Sequence, residues 1–510
     1  MGGPMIRKFF YVALVCSVLP SAALAANARV IVTRALHHDV SPALRNIPIP
    51  PALPGPPRHR IHEQEQWPRI GNSPLRGPDP VLQTDVRNPL PIIDVAKFDG
   101  LDCCHNNTPY YWEPPDVNGT VGTTQYMQIV NEGFAVFDKQ KGNILYGPAP
   151  DHLFWTGFGG PCQDDVGDVI AQFDKLARRW IVLGFGADNN ICLAVSVSSD
   201  ATGAYYRYAF AYGSFPDYPK LGVWPDGYYL SLNFSGTYVC ALHRAAILQG
   251  RDATSQCFQL GYYGVVPSDL DGTMPPPRGA TNYLATLSSN SLNFWQFHVN
   301  WTNPQNSRLS GPVNLAVPAF SPGCNSGDPA NCIPQKGTTQ KLDSLSYHMM
   351  YRLAYRNFGD HQSLVATHAV DVGSRVGERW YEIRNPGASP VLYQAGTYAP
   401  KGTSSRWMGS IGMDKNGDIA LGYSVSGSAV YPAIHYTGRV PTDSLGTMEG
   451  ENAVQAGLGY HTINRWGDYT DMTIDPVDDC TFYYTNEYLP NSGAFNWMTK
   501  INAFRFEGCQ

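Results

Sequence analysis

The chain has 510 residues, only 15% of them charged, with a formal net charge of −6. A nucleic-acid binder would show a basic stripe, and none is present. The length suits one large repeat domain or two to three ordinary ones.

Residues 1–25 carry Arg7 and Lys8, then an apolar run from Phe9 to Leu19, then small residues up to Ala25. This is the pattern of a secretory signal peptide, and it predicts a secreted protein, extracellular or periplasmic. No later stretch approaches the roughly 18 to 20 apolar residues that a membrane helix needs, so no membrane span is expected. Residues 26–91 are rich in Pro, Arg and His without sustained periodicity, which reads as a flexible leader.

Residues 92–510 are dominated by short Val, Ile, Tyr, Phe and Trp runs between Gly, Asn, Asp and Pro turns, with almost no helical period. A degenerate unit recurs about every 50 to 70 residues: a polar head, a strand, a turn and an aromatic strand. It is clearest from Arg406 to Tyr423 and from Arg465 to Tyr488. The pattern predicts an all-β fold, a β-propeller of seven four-stranded blades, with six or eight also compatible. The strand from Lys500 to Phe506 is expected to close the ring near the first blade.

Ten cysteines follow Cys16, an even number that favours disulfides in an exported chain. Cys324 with Cys332 is the first expected pair and Cys240 with Cys257 the next, while Cys509 is assigned to Cys103 or Cys104. No CxxC occurs, which disfavours a zinc ribbon. Sequons stand at Asn106, Asn118, Asn233 and Asn300.

The segment Pro114–Asn131, the runs Phe134–Lys139 and Asp174–Trp180, the Asp217–Lys220 and Trp224–Asp226 turns, and the Arg465–Tyr469 run together resemble a largely uncharacterised family of secreted bacterial β-propeller proteins. The resemblance spans residues 100 to 510 and implies the fold and export, without an established reaction. Similarity to sialidase-like propellers is weaker, because their Asp-box repeat is absent.

A propeller gathers the heads of its blades at one axial funnel. Arg352, Arg406 and Arg465 head three successive blades, and guanidinium groups meeting at one point would clamp a carboxylate or sulfate. The competing reading is that each arginine pairs with an aspartate of a neighbouring blade. Asp116, Asp168, Asp217, Asp226 and Asp468 are the candidate catalytic carboxylates, since two of them facing a sugar ring supply an acid and a nucleophile or base. Capping of turns, or a structural Ca²⁺, would use the same residues. Tyr229, Tyr469 and Glu487 are further proton donors or nucleophiles. His361, beside Asp360, would serve a lyase as its base. Trp407, Trp466 and Tyr229 join the arginines as substrate-binding candidates, because aromatic faces stack on sugars. The Asp414–Asp418 turn mimics the start of a Ca²⁺ loop, but Val425 stands where its glutamate belongs, and a hairpin explains it better. Serine-hydrolase, zincin and nucleotide-binding motifs are missing.

These readings converge on a secreted propeller acting on extracellular polysaccharide or glycoconjugate, as a glycoside hydrolase or polysaccharide lyase on an anionic glycan. It would be a monomer with no catalytic cofactor. The alternative is a non-catalytic propeller that binds glycan or protein at the cell surface.

Overall fold

A computed structural model describes residues 29–51, 58–61, 77–104, 110–163, 167–234, 236–324 and 330–510. The expected signal peptide and Asn106 lie outside the described residues. Short β-branched and aromatic runs form antiparallel meanders, as their composition requires. Among the described residues seven such meanders follow one another, and the fourth and fifth are joined by parallel pairing of Ser268–Leu270 with Leu353–Tyr355.

The first strand of each meander is the innermost. These are Asn118–Val121, Ile170–Asp174, Asp217–Val223, Val266–Leu270, Leu353–Asn357, Ser405–Met413 and Asp471–Ile474. Each touches the next and the last touches the first, which closes a ring around one axis. The fold is a β-propeller. Asn118 ties the ring at its seam, since its amide donates to Asp471 Oδ2 at 2.8 Å and its carbonyl accepts from the Ala171 N–H at 2.7 Å. This sequon asparagine is fully buried.

Closure joins the two ends of the ring. Met498–Phe506 pairs antiparallel with Ile92–Asp102, from Met498 opposite Asp102 to Phe506 opposite Ile92. The last meander thereby takes its outer strand from the start of the domain, and no edge is left open there. Trp180, Trp224, Trp295, Trp380, Trp407, Trp466 and Trp497 are all fully buried between strands. Truncating any one to alanine would cost about 3 to 5 kcal/mol.

Residues 26–91 are not a flexible leader throughout. Ile31–Arg34 pairs with Thr254–Cys257 on the outer edge of the third meander, and His37–Val40 pairs with Tyr206–Ala209 on the second. Leu44 and Ile47 are buried, and Tyr146 donates to the Ile47 carbonyl at 3.0 Å. Asp79 is buried against Arg379 at 2.7 Å. The two strands are four residues long, too short to show a period, yet they cover sheet edges that would otherwise be exposed.

The disulfides are Cys103–Cys104, Cys162–Cys192, Cys240–Cys257, Cys324–Cys332 and Cys480–Cys509. The pairs Cys324–Cys332 and Cys240–Cys257 are as expected. Cys509 joins Cys480 instead of Cys103 or Cys104, because Cys480 precedes the strand that lies beside Met498–Phe506.

Candidate functional site

At the axial end where the inner strands begin, four of the expected carboxylates come together. Asp116 and Asp168 stand just before the first and second inner strands, Asp217 begins the third, and Asp468 precedes the seventh. Asp116 and Asp168 both adopt left-handed backbone conformations, φ 47° and 49°. That conformation is uncommon outside glycine, and aspartate adopts it where local hydrogen bonds hold it. Asn131 is the enforcing neighbour: its amide donates to Asp116 Oδ2 at 2.9 Å, and its carbonyl accepts from the Asp168 N–H at 3.0 Å. Asp116 Oδ1 also accepts from the Asp468 N–H at 2.8 Å.

Electrostatics follow from this crowding. Burial, then repulsion from Asp468 and Asp168, raises the Asp116 carboxyl well above its ordinary range. Asp168 is pushed up to about 7 by burial and by Asp217, although Lys220 and a hydrogen bond with Asp116 pull the other way. Its proton is therefore held to a higher pH than that of an ordinary aspartic acid.

Lys220 is the central cation. It is buried, with Nζ 3.3 Å from the centroid of the Tyr218 ring and 4.2 Å from that of Tyr469, and it donates to the Pro219 carbonyl at 3.0 Å. Burial lowers it to about 8 against the pull of Asp168 and Asp116. Arg465 is the second cation, holding Asp343 at 2.6 Å and Asp468 at 2.8 Å. Burial pushes Asp343 up to about 8 even so.

Asp343 belongs to the long connection between the fourth and fifth meanders, residues 317–350, of which 330–350 reach the axial cluster through Asp343 and His348. Gln335 in this connection accepts from the His461 N–H at 2.7 Å. His348 packs edge-on against Tyr218 at 5.0 Å, and burial with Lys220 nearby lowers its imidazole to about 3, so it is neutral. Asp217, Asp468 and Tyr347 retain partial exposure and mark where solvent reaches the cluster.

Several other sequence candidates lie elsewhere. Arg352 is fully buried between Asp269 and Asp271, and Arg406 forks onto Glu451 with both contacts at 2.9 Å. The three arginines share no carboxylate, and only Arg465 stands with the acid cluster. Asp226 follows Asp217–Val223, a strand of seven residues spanning about 20 Å, and so lies at the far end from Asp217. There it accepts from the Tyr229 hydroxyl at 3.0 Å, and burial raises it to about 6. His361 sits in the turn after the fifth inner strand, bonded to Asp360 at 2.8 Å and stacked on Phe358.

Tyr229, Trp407 and Trp466 are fully buried, so they build the core and offer no face to a sugar. Tyr469 is buried as well and donates to the Val169 carbonyl at 3.2 Å. Glu487 accepts from the Gly467 N–H at 2.6 Å beneath the cluster. The Asp414–Asp418 turn is a hairpin: Asp414 Oδ1 accepts from the Asn416 and Asp418 N–H groups at 2.9 and 3.0 Å.

Comparison with known proteins gives only distant likenesses. No family model and no curated protein matches the chain. Among solved structures it is similar to the N-terminal domain of Nup159, at 10% identity and TM-score 0.34, covering 83% of this chain and 98% of that one. A GH43 glycoside hydrolase engineered for endo-xylanase and exo-arabinofuranosidase activity matches at 9% identity and TM-score 0.30, covering 81% and 97%. Extracellular domains 1-2 of Drosophila Semaphorin 1b match at 7% identity and TM-score 0.33, covering 83% and 88%. Likeness this distant transfers no activity.

Proposed function

We propose that this propeller hydrolyses glycosidic bonds of an extracellular polysaccharide at the axial acid cluster. The observation that supports the reading is the clustering of the buried Asp168 and Asp116 through Asn131 with Asp217 and Asp468, a crowding that raises the Asp168 carboxyl. A glycosidase needs a carboxyl still protonated near neutral pH beside a second that is ionised. In the proposed reaction the Asp168 proton passes to the leaving oxygen as the glycosidic C–O bond breaks. Asp217, the partly exposed member, takes the proton of the attacking water. Asn131 positions the first acid, while Lys220 and Arg465 supply the positive charge that holds the ionised carboxylates, so the reading requires no metal.

The lyase form of the idea rests on arginines converging to neutralise a uronate, and Arg352 and Arg406 are engaged with other carboxylates. The test is reducing-sugar release and unsaturated-uronate absorbance over a panel of neutral and acidic polysaccharides, comparing wild type with Asp168→Asn. Loss of roughly 10²- to 10⁴-fold in the variant is expected for a missing general acid. Equal activity in both proteins would sink the assignment.

A binding propeller is the second reading, favoured by the packing of Asp343 on Arg465 and of His348 on Tyr218 against the axial cluster. A silent panel with retained binding on a glycan array is its expected result.

A further inference from the structure

A second cleft lies at the opposite end of the propeller, where the fourth and fifth meanders meet. Its volume is about 610 Å³, in the range of small-molecule sites. One wall is the loop from Pro277 to Thr281 that follows the fourth inner strand, and the other is the turn from Asn385 to Val391. Tyr283, Gln296 and Gln362 form the floor.

The chemistry of this lining is specific. It contains no carboxylate, and its one charged side chain is the exposed Arg278. The Gln362 carbonyl accepts from the hydroxyls of Tyr355 at 2.8 Å and Tyr283 at 3.4 Å. That fixes the side chain by its oxygen and leaves the amide N–H groups to serve the cleft. Gln296 donates to the Pro386 carbonyl at 3.3 Å, which orients its own carbonyl oxygen as an acceptor. Gly387 admits the close approach of the far wall, since a Cβ there would stand 2.8 Å from the Tyr283 hydroxyl. Fixed amides, hydroxyls and small apolar walls match a ligand rich in uncharged hydroxyl groups.

We infer that this cleft is a binding site for a neutral oligosaccharide, separate from the axial acid cluster. The uncharged lining selects against uronates and sulfated sugars, which would bury an anion with only a rim guanidinium to meet it. The inference holds whether or not the axial cluster is catalytic.

The test is calorimetric titration of the full chain with cellohexaose, xylohexaose and mannohexaose, with oligogalacturonate and a neutral hexapeptide as contrasting probes. Three proteins are compared: wild type, Ala388→Trp, which fills the cleft from an exposed position, and Asp168→Asn, which alters only the axial cluster. At least one neutral hexasaccharide should bind wild type and Asp168→Asn equally, and Ala388→Trp should weaken it about tenfold or more at an unchanged melting temperature. Equal binding by Ala388→Trp, loss of binding in Asp168→Asn, preference for oligogalacturonate or the peptide, or no binding of any hexasaccharide would each overturn the inference.

Discussion

Asn131 Nδ2 donates to Asp116 Oδ2 over 2.9 Å, and the same side chain accepts the Asp168 N–H through its oxygen. One neutral amide therefore sets the relative position of two acids that would otherwise repel each other. Asn131→Ala removes both contacts while leaving the carboxyls in place. If Asp168 is the proton donor, kcat should fall on the order of 10²-fold with KM little changed, as expected of a misplaced catalytic group. The pH profile should also shift, whereas a variant that merely lowers folded population would scale the rate without moving it.

Because burial and Asp217 push the Asp168 carboxyl up to about 7, the acid form needed for hydrolysis should be present at lower pH and lost as pH rises through neutrality. The kcat/KM profile should descend by about tenfold per pH unit beyond the limb. In Asp168→Asn any residual rate should show no such limb, measured on the best polysaccharide of the panel.

Glu378 offers a cleaner test of burial. Its carboxyl is fully buried, accepts from Thr367 Oγ1 at 2.7 Å, and is pushed up to about 8 by desolvation. A raised pKa means that the folded state holds a proton the unfolded state has released, so this stabilisation is complete at low pH and disappears as pH rises through about 8. Glu378→Gln should melt at the wild-type temperature near about pH 5 and above it near about pH 9, followed by calorimetry.

Arg352→Met should destabilise the ring by about 3 to 5 kcal/mol, because it strands two buried carboxylates. Those are Asp269 and Asp271, each within bonding distance of the guanidinium and almost fully buried. Urea unfolding measures the loss. A substrate clamp would instead show in KM with stability unchanged.

Cys480–Cys509 links positions 29 residues apart. Replacing both by alanine frees the unfolded chain and should cost about 3.5 kcal/mol on the loop-entropy model. Denaturant midpoints of the double variant and the wild type report it directly.

The propeller was legible because each meander repeats a turn-and-strand pattern that needs no long-range information, as the Arg406 and Arg465 runs illustrate. The partner of Cys324 was legible for the same reason, being eight residues away. The axial acids were named from their places before strands, but Lys220 was passed over, since a lysine after a proline looks like any surface cation until the rings of Tyr218 and Tyr469 enclose it. The arginine clamp went astray because a shared position in a repeat does not give a shared direction. Arg406 turns to Glu451 and Arg352 to Asp269. Asp343 and His348 carried no local signal, because the 317–350 connection has no repeat to mark it.

The pairing of Met498–Phe506 with Ile92–Asp102 also sets the order in which the molecule can be completed. Lys500 meets Asp99 across 401 positions of chain, so the strand Ile92–Asp102 must wait for Met498–Phe506 to be synthesised before it gains this partner. Until then Ile92–Asp102 is an open edge able to recruit strands from other chains. Contacts between such distant residues are slow to form. A nascent chain stalled before Met498 would be the species most in need of a chaperone.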